Sequence, residues 1–213
     1  MRFTRLAAVA TAALVASTLT AAPAVAQGKS KPLGTRSLAT VLTADKSGFD
    51  HNGHDFDILK AAVQAVLKAK PSSPVGVLAD GKTRLTAFVP TDRAFQLLVA
   101  DIQNSKRLPS EKKTFAAVAG LGIDTVETVL LYHVVPGVRV TKARALKADG
   151  ARLKTAAGKT IKVNVYGHRH PRIALIDADR SDRNPRVTTV GINRGNRQLA
   201  HAIDRVLRPV NLP

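Results

Sequence analysis

The sequence predicts an α+β domain in which helices come first and a mostly antiparallel set of strands follows. Three observations lead there. Through Tyr132, apolar residues recur at helical spacing between capping residues and Pro or Gly stops. After Gly137 the pattern turns to short extended runs, the clearest of which sets Ile161, Val163 and Val165 alternately with Lys162 and Asn164. Neither strand-helix-strand alternation nor an internal repeat runs through the chain, which argues against parallel α/β and solenoid architectures.

The elements follow in order. The first 26 residues carry Arg2 and Arg5, an uncharged apolar and small-residue run, and Ala24-Val25-Ala26 ahead of Gln27. That is the layout of a secretory signal peptide with an A-x-A cleavage site. Residues 27–35 (QGKSKPLGT) read as a disordered leader and residues 36–211 as a single domain. Ser37 is expected to cap a short helix with Leu38, Val41 and Leu42 on one face. After the polar loop GFDHNGHD, a helix carries Phe56, Leu59, Val63, Val66 and Leu67 on one side and stops before Pro71. PSSPVGVLADGK reads as a loop leading into the strand TAFV. Pro90 ends that strand because it cannot donate to a ladder, and Thr91 or Asp92 caps a helix through Phe95, Leu98 and Ile102. Pro109-Ser110-Glu111 opens another helix, closed around Gly120 and Gly122. Asp124 is expected to cap TVETVLLYH, with the change from helix to extended VVPG near Tyr132-His133. ARLKTAAG, KTIKVNVYG, PRIALID, RVTTVGINRGN and LAHAIDRVL supply the later strands.

Taken together, TAFVPTDRAF, VLLYHVVPG about 35 residues on, and the terminal LAHAIDRVLRP resemble the fasciclin domain. The first motif rests on Thr86, Phe88, Pro90, Thr91, Asp92, Ala94 and Phe95, the second on Leu130, Tyr132, His133, Val135 and Gly137, and the third on His201, Ile203, Asp204, Val206 and Leu207. The pattern departs from the family where Arg197-Gln198 replaces an Asn-Gly turn, at Val89, and in the long connection SSPVGVLADGKTR. The resemblance implies a wedge or sandwich of β-strands flanked by helices, a secreted or surface-attached adhesion and matrix-binding role, and no cofactor or catalytic centre. It also implies a link to receptor binding at the tyrosine-histidine region, as in some animal members.

Read from the residues themselves, Tyr132 and His133 are adjacent, so their side chains diverge by about 100° on a helix and lie on opposite faces of a strand. They suit a structural brace or a partner epitope better than one shared proton-transfer site, with one expected to pack inward and the other to reach the surface. His201, between Leu199 and Ile203 on one strand face, reads as a core histidine with one buried partner. His51 and His54 beside Asp50 and Asp55, and the pair His168 and His170, offer metal-ligand atoms, but neither group shows a closed four-ligand spacing, so no metal is expected. DADRSDRN alternates acids but lacks the glycine and the terminal acid of a calcium loop, and a salt-bridged turn is expected there. Neither a GxSxG elbow, a Cys-His pair, an HExxH motif nor a phosphate loop is present, so no catalytic residues are assigned; a hydrolase would need a Ser-His-Asp set assembled from distant positions.

Charge points to the partner class. The formal net charge is +18, or +16 without Arg2 and Arg5. Residues 27–141 hold 15 Lys+Arg against 10 Asp+Glu, a surplus of 5, while residues 142–213 hold 16 against 5, a surplus of 11. Arg169, Arg172, Arg180, Arg183, Arg186, Arg194 and Arg197 are therefore candidates for salt-sensitive attraction to acidic envelope glycans, matrix polymers or cell-surface proteins. Aromatic residues make up 4% of the chain, too few for the stacking half of specific nucleic-acid binding, which leaves nonspecific polyanion contact as a rival. Without cysteine the chain forms no disulfide and carries no thiol for acylation, and no apolar stretch after the signal reaches the roughly 20 residues of a membrane span. The expectation is an exported, extracellular or envelope-associated, noncatalytic protein.

Overall fold

A computed structural model describes residues 31–212, so the signal peptide and the first part of the leader lie outside the described residues. The backbone enters the fold at Gly34, two residues before the expected boundary. Gly34 N–H donates to Gly195 O at 2.9 Å, and Arg197 N–H donates back to Gly34 O at 3.0 Å.

The helices come first: α1 (Leu38–Leu42), α2 (Asp57–Ala69), α3 (Asp92–Ile102), α4 (Glu111–Gly120) and α5 (Ile123–Tyr132). Strand β1 (Leu85–Pro90) lies among them, and β2 (Val134–Pro136) follows α5 directly. A short helix α6 (Lys142–Leu146) then precedes β3 (Arg152–Lys154), β4 (Thr160–Tyr166), β5 (Arg172–Ile176), β6 (Val187–Ile192) and β7 (Gln198–Ile203). Helix α6 breaks the expected all-extended second half: Thr141 accepts the Arg144 N–H, and the good helix formers of KARAL sustain one turn.

The strands form two sheets, one ordered β2-β1-β7-β6 and one ordered β3-β4-β5. All pairs are antiparallel except β1 with β7, which run parallel with Pro90 opposite Ile203. A bridge between Ala174 and Arg186 links β5 to the approach to β6. Both β1 and β7 are buried along their whole length because each face meets a separate core. Leu85, Ala87 and Val89 pack with the helical layer of α2, α3 and α5, whereas Phe88 packs with Ile161, Val163, Ile173 and Leu175 of the second sheet. A strand buried on both faces shows no regular polar alternation, which is why LTAFVP is apolar apart from Thr86.

Helix starts show how the motif residues are used. Thr91 caps α3, its hydroxyl accepting the Ala94 N–H at 3.3 Å. Asp92, fully buried, caps a different helix: its carboxylate accepts Ile58 N–H at 2.9 Å and Asp57 N–H at 3.2 Å, supplying the acceptor that Phe56 at the α2 N-cap lacks. Burial pushes the Asp92 carboxyl up to about 8, with the Ile58 N–H pulling the other way and Asp55 adding to the rise. Asp124 is not a cap. Gly122 holds the N-cap of α5 at φ +88°, and Asp124 lies in the first turn, pairing with Lys70 at 2.8 Å.

Two of the three departures from the motif pattern, Arg197-Gln198 and the long connection, explain each other. The long connection before β1 is a 3-10 helix, Pro74–Ala79, rather than an open loop, and Gln198 at the head of β7 ties it down. The fully buried Gln198 amide donates to Val77 O at 2.7 Å and Asp80 O at 2.8 Å, and its oxygen accepts the Leu38 N–H at 2.7 Å. Gly81 completes this junction, since a Cβ there would stand 1.7 Å from Thr35 O.

Candidate functional site

Parallel pairing of β1 with β7 sends two similar dipeptides off the same sheet edge. Asp92-Arg93 follows β1, Asp204-Arg205 follows β7, and Thr91 N–H donates to Ile203 O at 3.3 Å between them. Asp55 O and Gly53 O accept the Asp92 and Arg93 N–H groups at 3.0 and 2.9 Å, drawing the loop before α2 against this edge. The result is a half-open cleft of about 750 Å³. Its walls come from His54 and Phe56, from Thr91, Arg93 and Leu97, from Arg183 and β6, and from Ala202, Asp204 and Arg205.

The cleft is of ligand size, and its charged lining is dominated by three guanidinium groups. Its one acid is already engaged: Asp204 accepts the Arg186 N–H at 2.6 Å and lies 3.7 Å from Arg183. The Thr91 hydroxyl serves as the α3 cap. Both residues are thus committed to structural contacts, and the guanidinium groups of Arg93, Arg183 and Arg205 make the cationic part of the lining.

Of the seven arginines expected to attract acidic partners, only Arg183 lines this cleft. Arg186 stacks over Tyr166, 5.9 Å from the ring centroid, and Arg172 stands opposite Tyr166 in the β4-β5 register, while Arg169 is exposed in the intervening turn. Arg180 is exposed in the loop after β5. Arg194 and Arg197 follow β6 without lining the cleft: the Arg194 guanidinium lies beside Gly191, and Arg197 donates to Lys82 O at 3.5 Å. The seven do not converge on one site. Arg93 and Arg205 were missed because the first and third motifs reveal their spacing along the chain, but not that they leave neighbouring parallel strands.

The tyrosine-histidine pair is elsewhere and wholly internal. Tyr132 is 0% exposed and His133 4%, so neither side chain is offered to a partner, and the expectation that one would reach the surface fails. Their join lies between the two cores, and divergent side chains enter both. The Tyr132 hydroxyl donates to Thr160 O at 3.1 Å, and burial pushes it up to about 12. His133 Nε2 accepts the Leu207 N–H at 2.9 Å, which leaves Nδ1 to donate to Val129 O at 2.7 Å. Burial holds this imidazole down to about 4. His201 is similarly enclosed, with Nε2 against Val140 O at 2.7 Å, Nδ1 accepting the Gly191 N–H at 3.3 Å, and its ring stacked on Phe88; burial lowers its pKa too. Thr86 is equally structural, donating to Val138 O and accepting the Val140 N–H, both at 2.8 Å. Pro90 closes β1, and Ala94, Phe95 and Leu130 join the helical core. Val135 and Ile203 join the second core, and Gly137 turns the chain at φ +75°.

The acidic loop DADRSDRN is neutralised from outside. Arg208, 3% exposed, pairs with Asp179 at 3.2 Å, Asp182 at 3.3 Å and Asp101 at 2.6 Å, and its N–H donates to Asp177 at 2.8 Å. A guanidinium thus takes the place that a bound cation would occupy. Burial still raises the Asp177 carboxyl to about 7.

Among the described residues no single helix is long and apolar enough to cross a membrane. No curated protein matches the sequence. Among solved structures, the chain is similar to a FAS1 domain pair from the insect cell adhesion molecule fasciclin I, at 16% identity and a TM-score of 0.42. The match covers 71% of this chain and 43% of that one, so the chain spans less than half of the pair. The family model for the fasciclin domain matches residues 55–209, most of the sequence and all three motifs. The chain belongs to the fasciclin domain family.

Proposed function

We propose that this protein is an exported, noncatalytic adhesion module that binds acidic polymers of a cell envelope or matrix through the cleft of Arg93, Arg183 and Arg205. Fasciclin domains are typically adhesion-related, noncatalytic and extracellular or surface-located. The observation that carries the ligand class is the cleft itself: three arginines face an opening whose one acid already has its partners. The formal charge of +16 without Arg2 and Arg5 adds long-range attraction for a polyanion, and the signal-like first 26 residues support export.

The test is binding to an acidic polysaccharide such as heparin, followed by calorimetry as NaCl rises from about 0.02 to 0.15 M, over which the Debye length shrinks severalfold. Affinity is expected to fall across that range, and the triple replacement of Arg93, Arg183 and Arg205 by Gln is expected to remove most of it. Salt-independent binding, or a triple variant that binds as well as the parent, overturns the proposal.

A further inference from the structure

The loop before α2 gathers carboxylates that share a single cationic side chain, Lys60. One carboxylate oxygen from each of Asp50, Asp55 and Asp57 lies within 4.8 Å of the other two, a spread that suits oxygens bound to one cation at about 2.3–2.6 Å. Glu111, at the start of α4, closes on the same loop, its Oε2 accepting the His51 N–H at 3.2 Å. Asp57 and Glu111 are each 2% exposed. Even so, Asp57 Oδ2 and Glu111 Oε1 are buried without a hydrogen bond, and the Asp55 carboxylate meets no cation, only the Asp92 carboxyl. Lys60 holds only the other oxygen of Asp57. Among the described residues, no Lys or Arg pairs with Asp50, Asp55 or Glu111.

Buried anions without counter-charge are costly, and this chain has 33 Lys and Arg with which to avoid the cost. It does so at its other acidic cluster, where Arg208 closes on Asp101, Asp179 and Asp182. Around Asp55 it does not.

We propose that Asp50, Asp55 and Asp57 form a calcium site, with Glu111 beside it. Every donor is a hard oxygen, and calcium accepts irregular sets of 6–8 oxygens, whereas magnesium demands a near-ideal octahedron and keeps its waters. The sequence conceals the site because only Asp50 and Asp55 fall within DHNGHD; Asp57 opens the next helix, and Glu111 arrives from α4. His54 and Phe56, which alternate with Asp55 and Asp57 along the chain, line the arginine cleft, so a bound ion would also fix that wall.

Calorimetric titration of the full chain with CaCl2 after EDTA treatment tests this, together with thermal melting in EDTA and in about 10 mM CaCl2, a concentration above the weakest dissociation constants of about 1 mM expected for such sites. One ion per chain and a raised melting temperature are expected. Asp55→Asn keeps the size of the side chain and an oxygen to face the Asp92 carboxyl, so it is expected to melt close to the parent in EDTA and to bind calcium at least roughly tenfold more weakly. Asp50→Asn, an exposed position, also weakens binding and guards against a folding defect in the first variant. No heat and no melting shift with calcium, unchanged binding in both variants, or magnesium binding as tight as calcium each overturn the proposal.

Discussion

Replacing His133 with Ala isolates the internal join between α5 and β2. The substitution leaves the Leu207 N–H and the Val129 carbonyl without their buried partners. Each orphaned group costs about 1–3 kcal/mol, so a loss of about 2–6 kcal/mol is expected near pH 7.5. For a domain of this size that lowers the melting temperature by on the order of 10 °C. The loss must also depend on pH. The folded imidazole, held down to about 4, lies below the ordinary value of about 6.5. The stability it contributes is therefore complete above about pH 6.5 and disappears as pH falls toward 4. At about 1.4 kcal/mol per pH unit of separation, the gap between parent and variant closes by about 3 kcal/mol over that window. Comparing the two proteins at each pH matters, because Asp177, raised to about 7, works in the opposite direction in both and so cancels in their difference: its burial costs more as pH rises from 4 to 7. Urea unfolding of both proteins at pH steps from 7.5 to 4 measures the gap. A difference below about 0.5 kcal/mol at pH 7.5, or one that stays constant down to pH 4, would refute the reasoning.

Two further replacements probe contacts that lie far apart in sequence. Gln198→Ala removes three buried hydrogen bonds at once and is expected to cost about 3 kcal/mol in urea unfolding, with increased proteolytic cleavage at the 74–79 helix as its local signature; cleavage no faster than in the parent would argue against the clamp. Arg208→Ala strands Asp179 and Asp182 in the interior and is expected to cost about 3–5 kcal/mol, more than Arg208→Lys, with the two ranked by their melting temperatures.

The sequence by itself determined what local chemistry decides. Apolar spacing places α2, α3 and α5, Pro90 and Thr91 mark the strand-to-helix corner, and three ordered motifs identify the family. It was weaker where a short helix interrupts extended segments, as at Thr141, because one turn carries too little periodicity to stand out. Only the tertiary structure decided the use of the polar residues. Asp92 follows the cap of its own helix yet caps α2, Gln198 departs from the expected turn yet secures the long connection, and Arg208 fills an acidic loop that begins thirty residues earlier. Arg93 and Arg205 share a cleft only because β1 and β7 pair in parallel. The physical reason is range: a helix or strand is written in the spacing of neighbours, whereas a buried charge or amide is satisfied by whatever group the fold brings beside it.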